Sequence, residues 1–342
     1  MKKTKRSYKL LILATFAALF QTCVNPVEFD RRDEDDILVV DGRVNLNDSI
    51  QTLLLTRTGP LGRSARFPTE TGATVTLIEN DKTVGTYVEE EPGVYKIYHF
   101  KPQIGNSYHI DIQLQNGDHY TSLPETMPRP VFIESAYFTY NGDRTLTLFS
   151  SIKIPEQDDP PYLRWKIKHV YQRTDLACGF FDNTSTCYYE TNRATDNQLV
   201  PLLDGGELKP GTVIEFSITD VPVIDTIFGE VTYFTVFQET LTPAAFQYWE
   251  KVNTLLSQTG SIFDAPPGQI RGNIYKTDDA NALVLGLFYA TSEEIAYVKT
   301  FPGDFAPLDL APFCGVPGVP PTPFPYPECC YCPFGIPRPD YW

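Results

Sequence analysis

The sequence has few of the residues, and none of the short motifs, on which enzyme chemistry usually depends. It has four histidines and two methionines. It lacks the metalloprotease motif HExxH, the nucleophile motif GxSxG, the phosphate-binding GxxxxGK and the dinucleotide-binding GxGxxG. The sequence therefore predicts no catalytic residue, no metal ligand and no cofactor site, and a non-enzymatic protein is expected.

Positive charge is also scarce. The 342 residues include 28 Lys and Arg against 43 Asp and Glu, which gives a net charge of -15. This balance argues against nucleic acid as a partner. A mean hydropathy of -0.22 excludes a polytopic membrane protein, while a hydrophobic content of 42% allows packed cores. The length favours two domains.

The first 22 residues have the pattern of a secretory leader. Five basic residues precede an apolar run of eleven residues, Leu10–Phe20, which is too short to cross a bilayer. Cys23 follows directly, as in a lipoprotein signal whose cysteine is acylated and becomes the new N-terminus. The alternative is a plain signal peptide with an incidental cysteine. Residues 23–36 are polar and end in four acidic residues, which predicts a flexible tether.

Short alternating segments then predict a first β-sandwich over residues 37–123. Tyr108, Ile110 and Ile112 alternate with polar residues, which is the period of a strand with one buried face. Asn116 and Gly117 form a hairpin turn. Turns at the spacing of an immunoglobulin-like sandwich separate the strands.

Three prolines in the segment PETMPRP discourage regular pairing and predict a domain boundary. A second β-sandwich is predicted over residues 131–301. Within it, Leu163, Trp165 and Ile167 alternate with basic residues, so one face of that strand is expected to be buried. The predicted fold is therefore all-β, with two immunoglobulin-like sandwiches.

One helix is predicted in the second sandwich, over residues 243–257. Thr242 is a favourable N-cap, and Pro243 suits the first helical position. Ala245, Trp249 and Leu256, together with Val252, recur at helical spacing, so this face is expected to pack on the sheets.

The cysteines fall into three groups. Cys23 is the lipidation candidate. Cys178 and Cys187 are separated by eight residues of a polar loop, and a local disulfide is their simplest use. Residues 302–342 hold twelve prolines and the remaining four cysteines, and predict an irregular, cross-linked segment. These four disulfide candidates are Cys314, Cys329, Cys330 and Cys332. Zinc binding is the alternative, but their spacing suits tetrahedral coordination poorly, and disulfides are favoured in an oxidising compartment.

Two further sets of residues are candidates for chemical sites. The four histidines, His99, His109, His119 and His169, could hold a metal ion if neighbouring strands aligned them. Solvent-facing strand positions explain them more simply. The acidic residues Asp158, Asp159, Asp278 and Asp279 lie in predicted loops, where surface charge is favoured over weak calcium binding.

Several separated stretches resemble a known family when they are taken in order. They are Cys23, LVVDGRVN, IQTLLLTRT, GATVTLIEN, EPGVYKI, LTPAAFQYWEKVN, GSIFDAPPGQIRGNI, VLGLFYA and CCYCPFGIPRPDYW. Together they resemble an uncharacterised lipoprotein family of the Bacteroidota, with a domain of unknown function. Its members are often encoded beside SusC-like TonB-dependent transporters of the outer membrane.

The resemblance implies a location and a partner, and it brings no catalytic residues. It implies a protein held by its N-terminal lipid at the outer membrane, with cell-surface exposure left open. The expected function is that of a non-enzymatic accessory subunit of a SusC-like transporter, which captures substrate, covers the transporter or stabilises it. The alternative is a hydrolase or binding protein that acts on glycans or peptides through an unrecognised site.

Overall fold

A computed structural model describes residues 36–59, 67–156, 160–175, 185–191, 199–257, 269–305 and 335–342. Within them the regular structure is mostly β-strand, which confirms the predicted all-β class. Cys23, the predicted leader and most of the tether lie outside the described residues. Among those that are described, no helix has the length and apolar character to cross a membrane.

The described elements comprise eighteen strands and two helices. In chain order they are β1 (Leu38–Asn45), β2 (Ile50–Arg57), β3 (Thr74–Glu79), β4 (Lys82–Thr86), β5 (Val88–Glu91), β6 (Val94–Tyr98), β7 (Ser107–Gln113), β8 (His119–Ser122), β9 (Glu125–Thr126), β10 (Ile133–Tyr140), β11 (Thr145–Lys153), β12 (Tyr162–Asp175), β13 (Ser185–Thr191), β14 (Leu202–Asp204), β15 (Val213–Pro222), α1 (Asp225–Phe228), β16 (Thr232–Leu241), α2 (Pro243–Ser257), β17 (Ile274–Lys276) and β18 (Leu285–Thr300).

These strands form three sheets. The largest has nine strands in the order β13-β12-β16-β18-β1-β2-β6-β5, with β14 beside β12. A six-stranded sheet runs β17-β8-β7-β3-β4, with β9 beside β7. A three-stranded sheet contains β10, β11 and β15. Both smaller sheets pack against the largest one, which is the layered arrangement of a β-sandwich.

Strand β18 joins the two parts of the large sheet. Its first half pairs in parallel with β1, from Val39 opposite Leu285 to Asn45 opposite Thr291. Its second half pairs antiparallel with β16. The two segments predicted as separate sandwiches therefore share one sheet, and the described residues from Ile37 onward form one compact unit.

Alternating side chains build the cores between the sheets. Tyr108, Ile110 and Ile112 are buried between the nine-stranded and six-stranded sheets, as their alternation predicts. Leu163 and Trp165 are buried between the nine-stranded and three-stranded sheets. The neighbouring lysines of β12 consequently point to the opposite face of the large sheet.

Helix α2 covers part of that opposite face. It begins as predicted, because the Thr242 hydroxyl accepts a hydrogen bond of 3.1 Å from the Ala245 N–H. Its buried residues are Ala245 and Phe246. The prediction that the whole apolar face packs on the sheets is wrong at the C-terminal end of the helix, where Leu256 is 45% exposed. The last turns contribute little buried surface, because the packing concentrates on the first turn.

The described end of the proline-rich segment, residues 335–342, lies on the same face of the large sheet. Ile336 forms an isolated β-bridge with Tyr188. The Trp342 ring packs 4.6 Å from the Tyr233 ring, and its indole N–H donates a 3.1 Å hydrogen bond to the Gln172 side chain. Aromatic packing and hydrogen bonding thus hold this part of the segment against the body.

Candidate functional site

A cluster of charged residues lies at the centre of the large sheet, on the face that α2 partly covers. Four neighbouring strands supply its members. In the register, Arg164 of β12 lies opposite Glu239 of β16, and Glu239 lies opposite Glu293 of β18. Arg43 of β1 lies opposite Tyr289 of β18. Strand pairing therefore brings together residues that are far apart in the sequence.

Glu239 is the centre of this cluster. Its side chain has no solvent exposure (0%). Its carboxylate contacts Arg43, and it lies 2.5 Å from Arg164 and 2.8 Å from Lys166. The Tyr289 hydroxyl lies 3.3 Å from the same carboxylate. Three cations and a hydroxyl thus surround one buried anion.

Glu293 forms the solvent-side part of the cluster. Its carboxylate lies 2.6 Å from the Arg43 guanidinium and 3.2 Å from the Lys166 ammonium. Arg43 and Lys166 are themselves partly exposed, so this side opens onto the uncovered surface of the sheet. The cluster is therefore a buried ion network with a solvent-facing rim.

Arg164 connects the network to the helix. Its guanidinium lies 3.8 Å from the centroid of the Trp249 ring of α2 and donates a 3.1 Å hydrogen bond to the Tyr289 hydroxyl. A cation over an aromatic face is attracted by the ring quadrupole, most strongly where water is excluded. This contact fixes α2 against the charged part of the sheet.

The electrostatics of the cluster keep its groups in fixed protonation states. Burial acts to raise the pKa of Glu239, but Arg164, Lys166 and Arg43 outweigh burial and lower it to about 2. Burial raises the pKa of the Tyr289 hydroxyl above its ordinary value. A general acid or base works best with a pKa near the working pH. These two groups are therefore suited to holding structure and charge, and unsuited to transferring protons near neutrality.

A second buried carboxyl has a different environment. Glu125 of β9 is 3% exposed. It accepts hydrogen bonds from the Thr242 hydroxyl, at the start of α2, and from the Asn273 side-chain amide at 3.4 Å. The Asn273 amide is itself fixed, because it donates 2.6 Å to the Phe288 carbonyl. Burial raises the pKa of Glu125 to about 7, against the lowering effect of the two hydrogen bonds.

This pKa predicts a pH-dependent stability. The ordinary value for the carboxyl is 4.5, so the unfolded chain releases this proton at lower pH than the folded chain does. The stabilisation is complete below pH 4.5 and is lost as the pH rises to about 7. Glu125→Gln should remove this dependence of stability on pH. At pH 8 the free energy of unfolding of the variant should be about 2–3 kcal/mol higher than that of the parent.

The measurement for Glu125→Gln is urea unfolding at a series of pH values from 4 to 8. The glutamine carboxamide has nearly the same shape and size as the glutamate carboxyl, so the packing around position 125 should be unchanged. If the profiles of the parent and the variant run parallel across the window, Glu125 does not titrate with a raised pKa.

The structure describes one of the seven cysteines named from the sequence. Cys187 lies in β13, opposite Arg173 of β12, and is buried. The other six lie outside the described residues, and their lipidation or pairing stays a prediction. They are Cys23, Cys178, Cys314, Cys329, Cys330 and Cys332.

The histidines named from the sequence do not form a common site. Among the residues that the structure describes, no group of three or more His, Cys, Asp or Glu could hold a metal ion. His169 is buried in the core, 3.8 Å from the Phe234 ring centroid. Burial lowers its pKa to about 3. It was expected to face solvent, and that expectation is wrong, because its strand position points between the sheets.

The acidic loop residues are also separate. Asp278 lies 3.7 Å from the Lys276 ammonium. Asp279 accepts a 2.9 Å hydrogen bond from the Asn281 N–H. Asp158 and Asp159 lie outside the described residues. The two described residues thus serve local turn structure and ion pairing.

Sequence reasoning missed the members of the charged cluster. The available signal was the pair Gln238 and Glu239, inside the strand VTYFTVFQETL, whose other residues are aliphatic, aromatic or threonine. A polar pair in a buried strand requires partners elsewhere in the fold. The sequence does not indicate that Arg43 and Arg164 are those partners.

Comparison with known proteins identifies the family of the chain but no activity. No curated protein matches it. Among solved structures it is similar to the Yersinia pseudotuberculosis adhesin InvE, with 12% identity, over 59% of this chain and 54% of the adhesin chain. The chain thus spans about half of that protein, and the TM-score of 0.17 is too low to support an inference. A family model described as a domain of unknown function, DUF4249, matches residues 24–295. The chain therefore belongs to the DUF4249 family.

Proposed function

We propose that this protein is a lipid-anchored outer-membrane protein that serves as a non-enzymatic accessory subunit of a SusC-like TonB-dependent transporter. The observation that carries the proposal is the leader, in which a basic region and a short apolar run end at Cys23. Acylation there would hold the β-body at a membrane surface. The resemblance of the separated stretches to lipoproteins encoded beside such transporters supports the choice of partner.

The described charged groups support a binding role over a catalytic one. Glu239 is saturated by three cations, and its pKa of about 2 keeps it ionised. Glu125 has a pKa nearer neutrality, but it is 3% exposed. A catalytic carboxyl has to reach a proton on its substrate. Both carboxyls are instead enclosed within a folded body that can present its surfaces to a partner.

The acidic character of the chain is compatible with this arrangement. A net charge of -15 opposes adsorption to anionic surfaces. Stable membrane attachment by lipid requires more than one acyl chain or an additional basic patch. With an acidic tether, the lipid on Cys23 would have to supply the attachment, which makes the cysteine the critical residue.

The test is affinity purification from native membranes, with the tag inserted at Gly142. This turn is suitable because a side chain placed there would meet nothing within 4 Å. We expect an acylated Cys23 in the mature protein by mass spectrometry and a β-barrel transporter in the eluate. Cys23→Ser should release the protein from membranes and abolish the co-purification.

Two outcomes would contradict the proposal separately. An unmodified N-terminal residue or an uncleaved leader would remove the lipid anchor. A correctly acylated protein that elutes alone, under detergent conditions that preserve other transporter complexes, would remove the transporter partner.

A further inference from the structure

The second half of β18 has a strand neighbour on one side only. β1 pairs with β18 as far as Thr291, and β16 pairs with it from Ser292 to Thr300. Beyond Thr291, none of the described strands pairs with β18 on the β1 side. β10 of the three-stranded sheet lies close to β18 but forms no ladder with it. Among the residues that the structure describes, the large sheet therefore has an open edge within its length.

Two hydrogen bonds show which backbone groups face the open edge. The Thr291 carbonyl accepts 2.9 Å from the Leu46 N–H, and the Glu293 carbonyl accepts 2.8 Å from the Asn47 side-chain amide. Alternate residues of a strand direct their backbone groups to the same side. The N–H and C=O groups of the next alternate residues face that side without a partner among the described residues. They belong to Ile295, Tyr297 and Lys299.

This edge lacks two of the features that usually prevent strand addition, a proline and a bulge. Edge strands are commonly protected by proline, bulges or charges that project outward. The stretch from Glu293 to Thr300 contains no proline, and its register with β16 is unbroken. Ile295 and Tyr297 are 47% and 52% exposed. The ammonium of Lys299 lies 5.0 Å from the Tyr233 ring centroid, which places its charge over the sheet face.

We propose that this edge binds an extended segment of a partner polypeptide by strand addition. The N–H and C=O groups of every second residue face this edge and recur about every 7 Å, which matches the backbone of another extended chain. The Asn47 amide closes the edge at Glu293, and the chain turns at Pro302, so a segment of about five to seven residues fits. The inference is independent of the lipid anchor and of the transporter partner.

The side chains along the edge define the chemistry of the segment. Ile295 and Tyr297 present apolar surface on the face of the sheet that carries the charged cluster, where the Tyr297 ring also lies 5.2 Å from the Tyr341 ring. Lys299 has no carboxylate partner among the described residues. Its ammonium group instead lies over aromatic rings. An added strand is therefore complementary if it carries apolar residues opposite Ile295 and Tyr297 and an acidic residue opposite Lys299.

Amide hydrogen exchange on the purified mature chain provides the first test. The amides of Ile295, Tyr297 and Lys299 should exchange about 100-fold faster than those of Ala296 and Val298, which lie on the β16 side. Protection of all three amides in the free monomer would show that the same chain already covers the edge. Protection together with a dimer in sedimentation would show that a second copy does. Either result would overturn the proposal.

A synthetic peptide provides the second test. The probe is acetyl-Thr-Glu-Thr-Val-Thr-Val-Thr-amide, which in an antiparallel register places its glutamate opposite Lys299 and its two valines opposite Tyr297 and Ile295. Its control has proline in place of the first valine. The probe should slow the exchange of the three edge amides, and the control peptide should not. Equal binding of both peptides would overturn the proposal.

Two variants of one residue complete the experiment. Tyr297→Pro removes an N–H that points away from β16, so the ladder within the sheet is preserved. Tyr297→Thr removes the same ring and retains the N–H. We expect Tyr297→Pro to weaken binding of the probe at least about tenfold and Tyr297→Thr to weaken it less than about threefold. Equal affinities for a folded Tyr297→Pro and Tyr297→Thr would overturn the assignment of the edge.

Discussion

Glu239→Gln is expected to lower the free energy of unfolding by about 3–5 kcal/mol, because it breaks a buried ion network from one side. Arg43 and Lys166 would keep Glu293 as a counter-ion. Arg164, which is buried beside Trp249, would lose its carboxylate partner and remain as an uncompensated charge. Chemical denaturation at neutral pH, with unchanged m-value, measures the loss.

The chain offers a matched control on the same sheet. Glu190 lies 2.9 Å from the Lys168 ammonium, and both side chains are 40% exposed. Glu190→Gln should change stability by less than about 1 kcal/mol, since solvent screens exposed pairs. If Glu239→Gln costs no more than this control, the buried network does not stabilise the sheet. If Glu239→Gln does not fold, Lys166→Met replaces it in the test. This variant should remain folded and show a smaller loss in the free energy of unfolding.

Gly286→Ala is expected to be severely damaging, with a loss of more than about 4 kcal/mol in the free energy of unfolding or failure to fold. Gly286 has a φ of +91° and lies opposite Val40 in the parallel ladder of β18 and β1. A Cβ there would lie 1.9 Å from the Val40 carbonyl oxygen. The two strands would have to separate at the junction of the large sheet, which circular dichroism and thermal unfolding would detect.

Gly303→Ala is the control for backbone conformation alone. Gly303 has nearly the same φ, +90°, but a Cβ there would meet nothing within 4 Å. Its cost should be limited to about 1–2 kcal/mol from the left-handed conformation. If both alanine variants lose similar stability, the close approach of β18 to β1 does not restrict this position.

The sequence predicted the parts of the fold that depend on neighbouring residues. The alternation around Ile110 gave a strand with the correct buried face, and Thr242 with Pro243 gave the start of α2. Strand partners were not predictable in the same way. The pairing of Val40 with Gly286 joins distant parts of the chain, and no local pattern specifies it.

The candidate site illustrates the same limit. Each of its charged residues has an ordinary position in its own strand. Arg43, Arg164 and Glu239 become a site only because four strands from separate parts of the sequence lie side by side. Only the charge of Glu239, within a strand whose other residues are uncharged, was visible, and it indicated a need for partners without identifying them.

The parallel contact of β1 with β18 also has a consequence for the time course of folding. β1 comes near the beginning of the described chain, and β18 is completed only after almost all other strands have been made. Contacts between distant parts of a chain form slowly, since a large loop must close first. While the chain is synthesised or exported, β1 can pair with β2, but the side of β1 that pairs with β18 stays without a strand partner until β18 is present. The two parts of the large sheet can therefore join only after β18 has been delivered.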